Sequence, residues 1–241
     1  MRNKIAILPG FILAILAFSS CERAPEFSDV PTITYESVKF GFNPLGQDSL
    51  IISVNFEDGD GNLGISSEEA KEPPFHEATY FSADPPHNPI YNIEGISSEN
   101  LLRIGDLDTL PEYSCLDYRI LGRVVDDNAV TDTVYIQTNP KSKNFIIEFL
   151  IQQEDGSFQE FNFFEETCIP ASGRFASLNT EDHSRPLQGT LSYFFRAQNL
   201  RQYFGNNALK MKIQIADKAG NYSNIVESPV FTLDQILIID K

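Results

Sequence analysis

The stretch from Asp58 to Glu69, DGDGNLGISSEE, concentrates oxygen-bearing side chains at spaced positions of a twelve-residue loop. Counting Asp58 as position one puts Asp60 at three, Asn62 at five and Glu69 at twelve, which are ligand positions of an EF-hand calcium loop. Carboxylate and amide oxygens are the ligands that calcium prefers. Asp58, Asp60, Asn62 and Glu69 are therefore candidate ligands of a weak calcium site, with a dissociation constant on the order of 10⁻⁴ to 10⁻³ M.

Two features of the same stretch favour a simpler interpretation. Leu63 stands where the sharp turn of an EF-hand requires glycine, and the flanks resemble a strand and a loop rather than helices. Aligning Asp58 with Asp217 also places LIISVNFEDGDGNLG over LKMKIQIADKAGNYS, and both are alternating strands that end in Asp-x-x-Gly-Asn. Such an ending is typical of a turn in which the Asp side chain accepts hydrogen bonds from backbone N–H groups and Gly-Asn tolerates positive φ. An acidic, solvated turn therefore remains the alternative to a calcium loop.

Other chemistry has little support in the sequence. The three histidines, His76, His87 and His183, lie in polar or proline-rich segments, and no HExxH, GxSxG or phosphate-binding glycine loop is present. A glycosidase needs only two suitably spaced carboxylates, and the chain has 34 acidic residues, but it has no tryptophan to form a sugar platform. We therefore predict no catalytic residue and a non-enzymatic protein, with a glycan hydrolase as the alternative.

The elements that would position these residues are strands. TITYESVKFGF and SLIISVNFE flank a turn cluster and predict one hairpin, and NFIIEFLIQQ and SFQEFNFF flank Asp155-Gly156 and predict another. CLDYRILGRVV, TDTVYIQT, GTLSYFFRA, LKMKIQIAD and SPVFTL complete the set, and no helical period is sustained. This pattern predicts an all-β protein built of antiparallel, immunoglobulin-like β-sandwich domains.

The expected organisation is a tether over residues 21–31, a first sandwich domain over 32–139 and a second over 140–241. The first domain contains a long proline-rich loop, residues 65–112, with a helical turn expected around Ser98 to Arg103. Aromatic residues recur in this loop, so we expect it to pack on the sheet and to offer the contact surface, because loops on a rigid scaffold often carry function.

The first twenty residues predict export. Arg2 and Lys4 precede an apolar stretch and a Ser-Ser-Cys sequence, which is the layout of a signal peptide over residues 1–20. The small residues ending at Cys21 resemble the bacterial lipoprotein signal, in which that cysteine is acylated and anchors the chain to the membrane. We expect an outer-membrane lipoprotein that faces the surface or the periplasm, with ordinary secretion as the alternative.

Charge and cysteine content narrow the choice of partners. With 34 acidic against 18 basic residues, the net charge of −16 argues against nucleic-acid binding and leaves a protein or glycan ligand at the cell surface.

Apart from Cys21, only Cys115 and Cys168 remain. In an oxidising compartment this pair is expected to form a disulfide, and two buried free thiols are the alternative.

Several motifs together resemble uncharacterised surface lipoproteins of the Bacteroidetes type. They are the lipoprotein signal, FEDGDGNLG, GRF at 173–175, PLQGTLSY at 186–193 and IADKAGNYSN at 215–224. The closing DKAGNYSNIVESPVFTL is also similar to the last hairpin of immunoglobulin-like, fibronectin type III-like and cadherin-like modules. These motifs carry no known activity. From the predicted anchor, fold and long loop we expect a non-catalytic binding or adhesion module, or an accessory subunit of a surface complex. A structural spacer is a further alternative.

Overall fold

A computed structural model describes residues 25–43, 47–125, 128–179 and 184–238, so the predicted signal peptide, Cys21 and His183 lie outside the described residues. The described chain is mainly β, with three antiparallel sheets and a few short helices. In chain order the strands are β1 (Thr32–Gly41), β2 (Gln47–Asp58), β3 (Ala78–Phe81), β4 (Pro89–Ile90), β5 (Tyr118–Val125), β6 (Asn128–Thr138), β7 (Phe145–Gln152), β8 (Phe158–Phe161), β9 (Leu187–Gln198), β10 (Leu209–Ile215) and β11 (Val226–Glu227). The helices are α1 (Phe163–Thr167) and α2 (Leu200–Phe204), with 3₁₀ turns at Glu69–Lys71, Ser98–Asn100 and Pro140–Ser142.

The first sheet has the order β1-β2-β9 and places β2 at its centre. The predicted hairpin of β1 and β2 is confirmed, with a register shift between Tyr35 and Ser37. On its other side β2 pairs with β9 along its whole length, up to the pair of Asp58 with Leu187. Asp58 is therefore the last residue of a central strand rather than part of a free loop.

The second sheet has the order β11-β10-β7-β8. In β10 every second residue is buried, as the alternation of apolar and polar residues predicts. The hairpin of β7 and β8 is also confirmed, and Gly156 in its turn has a φ of 83°, a conformation that glycine adopts at little cost.

One hydrophobic core is shared by the first two sheets. Side chains from β2, β7, β9 and β10 lie in the same buried cluster, which includes Ile52, Phe149, Phe195 and Met211. A smaller cluster of Ala78, Tyr80, Leu101, Val134 and Ile136 belongs to the third sheet, which has the order β4-β3-β6-β5. Side chains of the first two sheets thus pack together, and the third sheet has a core of its own.

The segment predicted as a long loop, residues 65–112, contains more regular structure than expected. It holds β3, β4 and two 3₁₀ turns, and the expected helical turn is present at Ser98–Asn100. The buried Tyr80 and Leu101 attach it to the third sheet. The division into two domains at residues 139–140 stays a prediction, and the pairing of β2 with β9 joins strands from either side of that point.

The predicted disulfide between Cys115 and Cys168 is present, with 5.7 Å between the two Cα atoms. It links the segment before β5 to the C-terminal end of α1, and so connects the third sheet to the second. Disulfides persist in oxidising compartments, which suggests an extracytoplasmic protein. Among the described residues, no helix has both the length and the apolar character needed to cross a membrane.

Candidate metal centre

The ends of β2 and β10 lie side by side and bring two acidic turns together. Leu63, in the turn after β2, forms an antiparallel bridge with Asp217, which follows β10. The amide N of Lys218 also donates to the carbonyl O of Asn62, at 3.4 Å. The two stretches that match in the sequence are therefore neighbours in space.

Three carboxylates meet at this junction. Oxygen atoms of Asp58, Asp60 and Asp217 all lie within 4.8 Å of one another. Asp58 is fully buried, Asp217 is 6% exposed and Asp60 is half-buried. Calcium binds oxygen at about 2.3 to 2.6 Å, so two ligands of one ion lie at most about 5 Å apart. The spacing of the three carboxylates therefore fits a single metal ion such as calcium.

Asp58 lacks the partners that a buried carboxylate requires. Among the described residues, neither of its carboxylate oxygens accepts a hydrogen bond, and the buried Oδ1 of Asn62 has no partner either. Burial, together with the charges of Asp60 and Asp217, raises the pKa of Asp58 to about 6. The amides of Asn62 and Gly61 face the carboxylate and offset part of this rise, although neither meets hydrogen-bond geometry. An isolated buried charge is costly, so this position favours either a proton or a cation.

The comparison of the two turns explains why Asp58 is left alone. In the second turn, Asp217 accepts from the backbone N and the Nδ2 of Asn221, at 2.7 and 2.8 Å. In the first turn the Nδ2 of Asn62 donates instead to Asp60, at 2.7 Å. Asp60 has no counterpart in the second turn, and it accepts the hydrogen bond that the asparagine side chain would otherwise donate to the first aspartate. Within the described part of the chain, the carboxylate of Asp58 is therefore left without a donor.

Neighbouring segments hold the first turn in place. The Oγ of Ser184 donates to the carbonyl O of Asp60 at 2.6 Å, and the amide N of Gly59 donates to the carbonyl O of Ser28 at 2.8 Å. Gly61 has a φ of 67°, and a Cβ on it would collide with the carbonyl O of Arg185. The carboxylates therefore stand on a fixed backbone, which reduces the entropy lost when a ligand binds.

Glu69, the fourth candidate ligand, is engaged elsewhere and is not part of the cluster. Its carboxylate accepts from the amide N of Ser66 at 2.8 Å, and the Oγ of Ser66 accepts from the amide N of Glu69. This reciprocal pair is a capping box, and the Ser-x-x-Glu spacing is its sequence signal. Lys218 lies 2.9 Å from Glu69, and its hydrogen bond is the main cause that lowers the pKa of Glu69 to about 2.

Asp217 is the acidic residue of the cluster that the EF-hand pattern does not include. The pattern counts along one loop, whereas the structure recruits Asp217 from the matching turn. The sequence did contain one signal for Asp217, which is the match of its strand and turn to those of Asp58. When two such strands lie side by side, the aspartates at their ends come close together. Leu63 does not have the positive φ that glycine adopts at this position of an EF-hand, and its side chain is buried in the core shared by the first two sheets.

The histidines within the described residues make contacts typical of loop packing. His76 is buried, its Nε2 lies 3.0 Å from the Oγ1 of Thr79, and its ring packs on Tyr91. Burial lowers the pKa of His76. The Nδ1 of His87 lies 2.9 Å from the carbonyl O of Ser82.

Comparison with protein-family models, curated proteins and solved structures finds no match to this chain. The structure itself shows a mainly β protein with antiparallel sheets, one disulfide and a buried acidic cluster suited to a metal ion.

Proposed function

We propose that this protein is a non-catalytic module of the cell envelope whose fold is stabilised by calcium at Asp58, Asp60 and Asp217. The observation that carries the proposal is the fully buried carboxylate of Asp58, which has no hydrogen-bond partner among the described residues and faces two further carboxylates. A divalent cation would neutralise this cluster and supply the missing partner.

A proton alone satisfies this arrangement less well than a cation. Protonation of Asp58 supplies one donor, whereas the cluster presents two unpartnered oxygens of Asp58 and the unpartnered Oδ1 of Asn62. All of these are oxygen acceptors, which is the ligand chemistry of calcium. The cation would hold the end of β2 against the turn that follows β10, because the ligands come from both.

The proposed location is the outer membrane, with acyl chains on Cys21 as the anchor. The disulfide supports an extracytoplasmic location, and the core shared by the first two sheets supports a sandwich of immunoglobulin-like type. In this role the module would bind a surface ligand or serve as an accessory subunit, and the segment 65–112 would supply contacts.

A glycan hydrolase with paired carboxylates is the alternative, and a spacer without a ligand is the second. Asp58 is fully buried, which does not suit a carboxylate that must reach a glycosidic bond. A hydrolase would release sugar from a glycan panel and would lose this activity on substitution of one acid. A spacer would neither release sugar nor retain a ligand.

The test of the proposal is thermal unfolding in 10 mM calcium and in chelator. If the dissociation constant is on the order of 10⁻⁴ to 10⁻³ M, calcium adds about 1.4 to 2.7 kcal/mol and raises the midpoint by about 3 to 10 °C. Asp60→Ala and Asp217→Asn should abolish this rise.

Glu69→Gln is the matched control, because it removes an acid of the same stretch that lies outside the cluster and is paired with Lys218. It should lower stability by roughly 1 kcal/mol or less while the response to calcium persists. Coincident curves of the natural chain in calcium and in chelator would reject the calcium site.

A further inference from the structure

We propose that a basic groove beside the disulfide binds the carboxylate group of a compact organic acid, such as an acidic sugar. The groove consists of two adjoining cavities that share Glu77, Lys143 and Pro170. Their volumes are about 430 and about 270 Å³, which together suit a ligand of small-molecule size. The inference deepens the proposed binding role and does not depend on calcium.

The charge of this groove is opposite to that of the chain. Its charged side chains are four basic residues and a single acid, whereas the whole protein carries a net charge of −16. The basic residues of the groove are Lys71, Arg119, Lys143 and Arg174. Cavities with one sign of charge concentrate ligands of the other sign, so an anion is the complementary ligand.

Lys143 stands between the two cavities and has no acidic partner. Among the described residues its ammonium makes no ion pair, and it lies 5.6 Å from the centre of the Phe164 ring. Burial lowers the pKa of Lys143, and the charge of Glu77 opposes this effect. Glu77, the acid of the groove, pairs with Arg119, so a ligand carboxylate would supply the ion pair that Lys143 does not make with the described part of the protein.

The two arginines are fixed by the protein and keep donors for a ligand. Arg119 donates to the hydroxyl of Tyr80 at 2.7 Å and to Glu77 at 3.0 Å. One terminal nitrogen of Arg174 donates to the carbonyl oxygens of Ile65 and Ser66. Since a guanidinium has five N–H donors, each arginine retains unused donors in a fixed orientation.

An exposed aromatic ring adds a surface for the carbon skeleton of the ligand. Tyr113 is 53% exposed, and one of its faces stacks on Tyr118 at a centroid distance of 6.0 Å. The disulfide of Cys115 and Cys168 lines the same cavity and ties this wall to the wall that carries Phe164. A ring next to a cation can pack against a sugar or an aromatic acid while its carboxylate meets Lys143.

The test measures binding of digalacturonate and of phenylpropionate by calorimetry, with the neutral disaccharide galactobiose and inorganic sulfate as comparisons. At least one of the two carboxylates should bind tenfold or more tightly than galactobiose and than sulfate. Whichever of the two binds identifies a sugar acid or an aromatic acid as the source of the carboxylate. Equal binding of galactobiose or of sulfate would overturn the proposal, and so would exclusive binding of an Asp/Glu-rich peptide.

Lys143→Gln should weaken carboxylate binding roughly tenfold, which corresponds to about 1.4 kcal/mol, since it removes a charge-assisted contact. Lys141→Gln is the matched control, because it removes the same charge from an exposed position two residues away. The affinity of this control variant for the carboxylate should change less than twofold. Equal losses of affinity in both variants would overturn the assignment of the binding site to the groove. Both variants should keep the calcium-dependent rise in the unfolding midpoint, so failure of the groove and failure of the calcium site are distinguishable.

Discussion

At the scale of single residues, Asp58 should have opposite effects on the stability of the fold in the presence and absence of calcium. Asp58→Asn removes a buried charge that has no hydrogen-bond partner, so in chelator at pH 7.5 the variant should be more stable than the natural chain by about 1 to 3 kcal/mol. In calcium it should lose the ligand and show no rise in midpoint. Thermal unfolding in calcium and in chelator shows whether the variant and the natural chain exchange places as the more stable protein.

The exposed Asp108 offers a control for the reversal. Asp108→Asn makes the same chemical change at the surface and should leave both midpoints within about 0.5 kcal/mol of the natural values. A loss of stability in Asp58→Asn under both conditions would show that the carboxylate has a partner of its own.

The pH dependence of the metal-free protein follows from the same residue. The pKa of Asp58 rises from 3.8 to about 6 on folding, so between these values the folded chain binds the additional proton. Its free energy of unfolding should therefore fall as pH rises from about 4 to about 6, by at most about 3 kcal/mol. Denaturant unfolding in chelator, with Asp58→Asn compared at each pH, isolates this contribution. Parallel pH profiles of the two proteins would contradict the raised pKa.

Two of the three clustered carboxylates were predictable from the sequence, and the third was predictable only as part of a turn. Asp58 and Asp60 follow a recognisable strand and occupy ligand positions, but Asp217 becomes a neighbour only through tertiary structure. Glu69 fits two local patterns, a twelfth ligand position and a capping box with Ser66. Local spacing alone does not decide between these patterns, because the stretch from Ser66 to Glu69 fits both of them.

At the scale of elements, the two matched turns differ in what surrounds their glycines. Gly61 and Gly220 both have positive φ, but only at Gly61 would a Cβ collide with a neighbouring backbone. Gly220→Ala should therefore lower the free energy of unfolding by about 1 kcal/mol, from the backbone alone. Gly61→Ala should lower it by clearly more and should weaken the calcium response, because the turn must move away from Arg185. Equal effects in denaturant unfolding would contradict the close packing of the first turn.

Strands with regular alternation were predictable, and short ones in irregular sequence were not. The alternation in β10 and the Asp-Gly turn of the β7 and β8 hairpin are local signals that the structure confirms. In contrast, β3 has four residues and β4 has two, and prolines surround them. Here β3 is specified by its pairing with β6 and by burial of Tyr80, and β4 by its pairing with β3, rather than by their own pattern.

At the scale of the whole molecule, the disulfide connects the part of the chain with the smaller core to the part with the larger one. The bond between Cys115 and Cys168 closes 53 residues, which corresponds to about 4 kcal/mol of loop entropy. Replacing both cysteines by serine should lower the free energy of unfolding by about 2 to 4 kcal/mol, measured by denaturant unfolding. The calcium response should persist in this variant, since neither cysteine lies in the cluster. An unchanged unfolding midpoint would show that the bond does not constrain the unfolded chain.

The pairing of distant strands was beyond local sequence signals. Both β2 and β9 were predictable as strands, but nothing in either sequence indicates that they pair along twelve residues. Such pairing is decided by which faces complete a common core, as Ile52 and Phe195 do here. The sequence therefore allowed prediction of a mainly β protein with antiparallel strands and of most of those strands, whereas the sheet order required the structure.

The joining of early and late segments also sets an order of events in folding. Phe40 in β1 bridges to Leu237, β2 pairs with β9, and Asp58 lies beside Asp217. Contacts between segments so distant in sequence form slowly, because the intervening chain must first be closed into a loop. The complete ligand set of the metal centre cannot exist in a nascent chain that lacks residue 217. Calcium would therefore bind with the full ligand set only to chains that include both turns, and would distinguish them from shorter fragments that stop before residue 217.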